Sequence, residues 1–394
     1  MPAQPTGAPL RVAQFIGSMK VGGAENLTVR LANALAAAGH DSHVIVASEP
    51  GPLSARLRPE VRAHYLHYQR ESITRPLAFG WSLKQGLGTV REVIASERIQ
   101  LVQTHLPGAN FWGLLMELGR QCAVIATVHS TREFDYGEAS GPSRELLRKL
   151  AYRAILRLAH GVVAVSQPVK DALLEQLGES TAIGERITVI DNGVPIPSLA
   201  TDAERSRARQ QYQVSAEPLL VGAGRLTAAK SFGDLLDAFD RVRRAGLDAR
   251  LVLAGDGEDR AALQAHANRL GVVDQVIFAG QVDAMDELMA AADALVISSR
   301  YEGLPLVALE AMAAGVPVIS YDLPSLRAVI DDGETGLLAT AGDPGALANA
   351  ITGALEDRPR LRSIADAGRQ LIIDRYSLDR TASAVIELYR QVLT

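Results

Sequence analysis

The sequence predicts an α/β protein built from two doubly wound units. Three observations predict it. Short apolar runs alternate with helix-length segments, the alternation occurs twice, and a polar, proline-bounded stretch separates the two series. Alternation of this kind implies parallel sheets with helices on both faces, and 394 residues suit two domains.

In the first series RVAQFIG (11–17) reads as a buried strand, followed by a helix from about Ala24 to Ala37 and then HVIVAS (43–48). LVQTH (101–105), AVIATVH (123–129), GVVAVS (161–166) and ITVIDNG (187–193) continue it, each bounded by turn residues. Residues 195–217 are polar, with proline near both ends, and read as a connection holding a short helix. The second series is LLVGAG (219–224), ARLVLAG (249–255), QVIFAG (275–280), ALVISS (294–299) and PVIS (317–320). The closing stretch, SLDRTASAVIELYRQVLT, reads as an amphipathic helix packed on the body. Two such units in a row imply a cleft lined by the loops after the strands.

Composition excludes several functions. The net charge is -5, with 20 basic against 17 acidic side chains in residues 1–196 and 20 against 28 in the remainder. No chain-wide basic footprint for nucleic acid exists, and the few aromatics offer no stacking platform. Cys122 is the only cysteine, so neither an intramolecular disulfide nor a cysteine metal site is expected. The stretch MPAQPTGAP lacks the basic and apolar regions of a secretory signal. No run approaches the length of a spanning helix. A cytoplasmic location is the default expectation.

Chemistry concentrates in a few stretches. In YEGLPLVALEAMAAGVPVIS (301–320) Pro305 suits the first helical position and Gly315 the residue past the helix end. The backbone from Gly303 through Leu304 and Pro305 to Leu306, at a helix start, would favour an anion. Leu306, Leu309 and Ala313 would pack inward. Glu302 and Glu310 flank the helix start, and carboxylates accept hydrogen bonds from sugar hydroxyls. On spacing alone, an exposed acid on a solvated helix face fits equally.

GAGRLTAAKSFGDLL (222–236) places Arg225 and Lys230 around a turn that opens a helix. A guanidinium fork and a point charge beside glycines suit a diphosphate, as they also suit an ordinary surface. In GSMKVGGAENLTVRLANALAAAGH (17–40), Gly22 and Gly23 permit close backbone approach, and Glu25 suits the helix dipole. His129 and His105 each end a strand, where function gathers. SRELLRKLAYRAILRLAHG (143–161) is a basic amphipathic helix. Leu147, Leu150, Ala151, Ala154 and Leu158 form one face, and Arg144, Arg148, Lys149, Arg153 and Arg157 crowd elsewhere. It reads as a covering helix, or as a contact with anionic lipid headgroups.

The combination of GGAE, ATVH, GRLTAAKSFGDLL, LAGDGED and EGLPLVALEAMAAGVPVIS, in that order, resembles the retaining glycosyltransferases of the GT-B fold, specifically glycosyltransferase family four. VSQPVKDALL and IDNGV extend the likeness, which runs over nearly the whole chain.

The resemblance implies two Rossmann-like domains facing a deep cleft. Residues 1–196 would bind the acceptor and 197–374 a nucleotide-sugar, and 375–394 would cross back onto the first domain. Arg225 and Lys230 would hold the diphosphate, Glu310 the ribose and Glu302 the donor sugar. Gly303, Leu304, Pro305 and Leu306 would supply backbone contacts, Gly22 and Gly23 would close on the diphosphate, His129 would lie near the transferred sugar, and Val282 near the base. No cofactor and no metal are expected.

The implied reaction moves a sugar from a nucleotide-diphosphate sugar to a sugar or lipid-linked glycan acceptor, in bacterial surface polysaccharide or glycolipid synthesis. Contact through 143–161 would be peripheral, at the inner face of the cell membrane. Two other readings share the fold: a nucleotide-sugar epimerase, and a non-catalytic nucleotide-sugar-binding protein.

Overall fold

The computed structural model describes residues 8–68, 76–119, 122–134 and 142–394. The stretch MPAQPTGAP lies mostly outside the described residues, as does the side chain of Arg144. The chain divides into two compact units, one formed by residues up to Asn192 together with Leu378–Thr394 and the other by Gly193–Ser377.

The first unit contains one parallel sheet of seven strands. These are β1 (Arg11–Ile16), β2 (Asp41–Val46), β3 (Arg62–Tyr65), β4 (Leu101–His105), β5 (Ala123–Val128), β6 (Gly161–Ala164) and β7 (Ile187–Val189), in the order β3-β2-β1-β4-β5-β6-β7. The second unit has six parallel strands. These are β8 (Leu219–Ala223), β9 (Arg250–Ala254), β10 (Val276–Gly280), β11 (Ala294–Ile297), β12 (Val318–Tyr321) and β13 (Leu337–Ala339), in the order β10-β9-β8-β11-β12-β13. Both sheets reverse their winding once, between β1 and β4 and between β8 and β11. Ligands of open α/β sheets bind beyond the carboxyl ends of the strands at such switch points.

The strands are continuous apolar runs because helices cover both faces. In β4 and β5 every residue is buried. In the second unit Leu220, Leu235, Phe239, Leu251 and Val296 are each at most 1% exposed and form one core. Two edge strands escape the sequence reading. β3 is only half-buried and β13 is three residues long, so neither shows a sustained apolar run. β2 begins two residues before the apolar run, because Ser42 is buried and donates from Oγ to the carbonyl of Ala32 at 2.9 Å.

The connection after β7 holds the helix Asp202–Gln211, started by a capping box in which Thr201 and Glu204 satisfy each other's backbone N–H groups. The closing helix, Leu378–Leu393, packs in the first unit, burying Ala382, Val385 and Tyr389 against Val12, Leu31 and Leu35.

The helix Pro142–Leu158 corrects an expectation. Its buried face is Tyr152, Ile155 and Leu156, not the predicted stripe. Leu146, Leu147, Leu150 and Leu158 are 57%, 62%, 51% and 46% exposed. The predicted stripe and the true one both fit a helical period; the aromatic pair Phe134–Tyr152, at 5.1 Å between ring centres, decides the rotation.

Candidate functional site

In the second unit the site is built at the β8/β11 switch point. Three strand-end loops are stitched there by backbone hydrogen bonds. Gly224 N–H donates to Ala254 O at 2.9 Å, Leu226 N–H to Asp256 O at 3.0 Å, and Gly255 N–H to Gly280 O at 2.7 Å. Glycine is required at the crossing: Gly255 has φ +140, and a Cβ there would stand 1.9 Å from the carbonyl oxygen of Gly224.

The loop after β8 carries Arg225, which is exposed, and Lys230, which ends a short 3-10 turn, Ala228–Lys230. Lys230 Nζ pairs with Glu302 Oε1. That oxygen also accepts from Ser299 Oγ at 2.6 Å. The loop itself is anchored: Ser298 Oγ donates to Lys230 O at 2.9 Å, and Arg300 N–H donates to Ala229 O at 2.9 Å. Ser231 follows in the left-handed region at φ 47, held by a 3.0 Å bond from Arg300 Nε to its hydroxyl. A strained non-glycine residue beside Lys230 marks a place where geometry is held at a cost.

The helix after β11 runs Leu306–Ala313. Pro305 is therefore its N-cap, at φ -71 and ψ 114, and not its first helical residue. Having no N–H, Pro305 offers no donor, so within residues 303–306 the backbone donors are those of Gly303, Leu304 and Leu306. Leu306, Leu309 and Ala313 are buried as expected. Glu310 is half-buried in the second turn, and Val282 is half-buried in the loop after β10.

In the first unit Gly22 caps the helix Gly23–Ala37, and a Cβ on Gly22 would stand 2.3 Å from Oε2 of Glu25. Glu25 thus folds back on the helix start, where an acid is favoured. Gly23 is exposed, with nothing within 4 Å of where a Cβ would stand.

His129 follows β5 and His105 ends β4, and the structure joins them: His105 Nδ1 and His129 Nε2 are 3.1 Å apart. Burial pushes His129 down to about 4 and His105 well below its ordinary value, the latter also through His129. Both rings are therefore neutral near pH 7. Leu106, next to His105, sits at φ 72, a strained value for a bulky residue.

Glu133 holds the loop after β5. It is 3% exposed, accepts from Tyr152 Oη at 2.5 Å, and is bonded to the backbone of Ser130 and His129. Burial nevertheless raises its carboxyl to about 7. A raised folded pKa contributes stability that is complete below the unfolded value of 4.5 and is lost as pH rises through 7. The loss amounts to about 3 kcal/mol at about 1.4 kcal/mol per unit. Glu133→Gln should therefore abolish that part of the pH dependence. Urea unfolding of both proteins between weakly acidic and weakly alkaline pH checks it, and parallel curves would refute it. The depressed histidines act in the opposite sense, losing stability as pH falls, and cancel in the comparison.

The description Glycosyltransferase Family 4 matches residues 21–196, and Glycosyl transferases group 1 matches residues 204–371. The chain is a glycosyltransferase of family four. It is 26% identical over 377 residues to the N-acetyl-alpha-D-glucosaminyl L-malate synthase of Bacillus anthracis, covering 95% of each chain. It is 27% identical over 299 residues to the phosphatidyl-myo-inositol mannosyltransferase of Mycobacterium leprae, covering 75% of this chain and 74% of that one.

Among solved structures, this glycosyltransferase resembles HepE of Anabaena in complex with UDP and glucose, with TM-score 0.81, 22% identity, and 97% and 99% of the two chains covered. It equally resembles sucrose-phosphate synthase of Thermosynechococcus elongatus, with TM-score 0.81, 25% identity and the same coverage. The fold is GT-B.

Several residues at these sites escape a motif reading. Ser299 and Glu133 carry no pattern in one sequence. Gln14 and Gln103 do leave a signal, as polar residues inside the apolar runs RVAQFI and LVQTH.

Proposed function

We propose that this glycosyltransferase moves a sugar from a nucleotide-diphosphate sugar to a hydroxyl acceptor with retention of anomeric configuration. The observation that carries the reading is the Lys230–Glu302–Ser299 cluster beside a helix N-terminus at the β8/β11 switch point. HepE, of similar fold, holds UDP and glucose.

Lys230 and Glu302 neutralise each other without ligand. An arriving diphosphate takes Lys230 from the carboxylate. Glu302, still held by Ser299, then turns its acceptor capacity to the sugar hydroxyls. As the sugar–phosphate bond breaks, charge grows on the leaving diphosphate. Lys230, Arg225 and the N–H groups of Gly303, Leu304 and Leu306 stabilise it electrostatically. The leaving phosphate oxygen takes the acceptor's proton. Glu310 is assigned to the ribose and Val282 to the base. From the first unit, His129 is assigned to the transferred sugar and Gly22 and Gly23 to the diphosphate. Fixed cations supply the charge that a metal supplies elsewhere, so chelator should leave turnover unchanged. The proton spectrum of the fresh product tests the reading: the donor's anomeric configuration is expected, and an inverted product would overturn it.

The acceptor assigned by this reading is a lipid-linked or surface glycan, reached by peripheral contact with an anionic membrane. No helix of the described residues is long and apolar enough to cross a membrane. The exposed Leu146, Leu147 and Leu150 beside Arg148 and Lys149 suit shallow insertion into anionic headgroups. The protein should float with anionic vesicles at low salt, and Leu147→Glu with Leu150→Glu should prevent it. Wild-type protein that stays with the soluble fraction would end this part of the reading.

A further inference from the structure

The two histidines belong to a longer chain of buried polar groups, all within the first unit. Tyr389 Oη donates to Gln103 Oε1 and accepts from Gln14 Nε2 at 2.8 Å. Gln14 Oε1 lies 2.8 Å from His105 Nε2, and His105 Nδ1 lies 3.1 Å from His129 Nε2. Gln103 Nε2 donates to Thr127 Oγ1 at 2.8 Å, which returns the chain to the strand that leads into His129. Gln14, Gln103, Thr127, His105 and Tyr389 are each at most 2% exposed. They come from β1, β4, β5 and the helix Leu378–Leu393.

The sense of this chain has one consequence for the ring of His129. The amide of Gln14 spends its N–H on Tyr389, so its oxygen faces His105 and must be given a proton. His105 Nε2 therefore carries the hydrogen. A neutral imidazole has one donor and one acceptor nitrogen, so His105 Nδ1 is bare and accepts from His129 Nε2–H. The remaining nitrogen of His129, Nδ1, is then bare as well.

We propose that Gln14, His105 and Tyr389 are positioning residues that hold His129 in a single tautomer, with the proton on Nε2 and Nδ1 left as an acceptor. On the glycosyl-transfer reading above, on which this role rests, His129 then offers a fixed acceptor to a sugar hydroxyl. The hydroxyl that sets its direction lies on the closing helix, 260 positions along the chain. An apolar core would fill the same space with no buried donor to satisfy. A satisfied polar network specifies an arrangement that apolar packing cannot. The strained Leu106 at φ 72 stands directly after the middle member of the chain.

Long-range proton–nitrogen correlation spectra of protein labelled with nitrogen-15 histidine read which ring nitrogen bears the proton. The eight histidines are sorted by the signals that vanish in His129→Asn. The wild type should show His129 neutral, protonated on Nε2 and bare at Nδ1. Tyr389→Phe keeps the ring and removes only the hydroxyl, and His105→Phe removes the acceptor itself. Each should replace the single tautomer of His129 by a mixture in a protein that still folds, at some cost in melting temperature from the buried amides left without a partner. A wild-type His129 protonated on Nδ1 overturns the proposal, whether or not the variants fold. So does a folded Tyr389→Phe protein whose His129 signals are unchanged. The spectra require no turnover, so they stand or fall apart from the glycosyl-transfer reading.

Discussion

Replacing Lys230 with alanine is expected to lower kcat/KM for the donor by about a thousandfold, the scale seen when a preorganised charge partner of the transition state is removed. Two effects add. The growing charge on the diphosphate loses its point charge, and Glu302 loses the cation it pairs with in the unliganded protein. Glu302 would keep the 2.6 Å bond from Ser299 Oγ. Lys230→Arg should retain part of the activity, because the charge survives while the wider fork must find room beside Glu302. Initial rates over a donor series, with circular dichroism to confirm folding, check this. A Lys230→Ala enzyme within about tenfold of wild type would mean that the pair is structural and that the electrostatic role lies elsewhere.

The second large effect is on folding. Gly255→Val is expected to cost about 3 kcal/mol or more, since a strained backbone and a backbone collision act together. Its φ of +140 is open to glycine and hostile to a branched side chain, and the new Cβ would stand 1.9 Å from Gly224 O. That oxygen belongs to the loop carrying Arg225, so relief of the collision displaces the candidate diphosphate site. Gly233→Ala is the control: it lies near the start of a helix with nothing within 4 Å of its Cβ, and alanine there favours the helix. Denaturant unfolding of the two variants should separate them clearly. Equal midpoints for Gly255→Val and wild type would refute the account of how the three loops are joined.

What was legible in the sequence follows from what repeats. Buried parallel strands declare themselves because both faces are covered, so β4 reads correctly to the residue as LVQTH. β3 and β13, at the sheet edges, have no such pattern to show. Lys230, Glu302 and Glu310 were legible as motif members, yet the pairing of Lys230 with Glu302 was not. They stand 72 residues apart, and only the β8/β11 neighbourhood brings them together.

The helix Pro142–Leu158 shows the opposite failure. Its sequence supports two apolar stripes, and the choice between them is made by Phe134, eight residues upstream of its first residue. In the sequence His105 and His129 read as two separate strand-end histidines. Their 3.1 Å contact depends on β4 and β5 lying side by side, which no local pattern states.

The most direct test of the central claim is a calorimetric titration of the wild-type protein with UDP, GDP, ADP and dTDP, in chelator and without metal. The account predicts that one of these nucleoside diphosphates binds, with Kd on the order of micromolar, and that Lys230→Ala and Glu310→Ala each weaken it sharply. Absence of binding by all four, or binding that neither substitution weakens, would contradict the assignment of the β8/β11 switch point as the donor site.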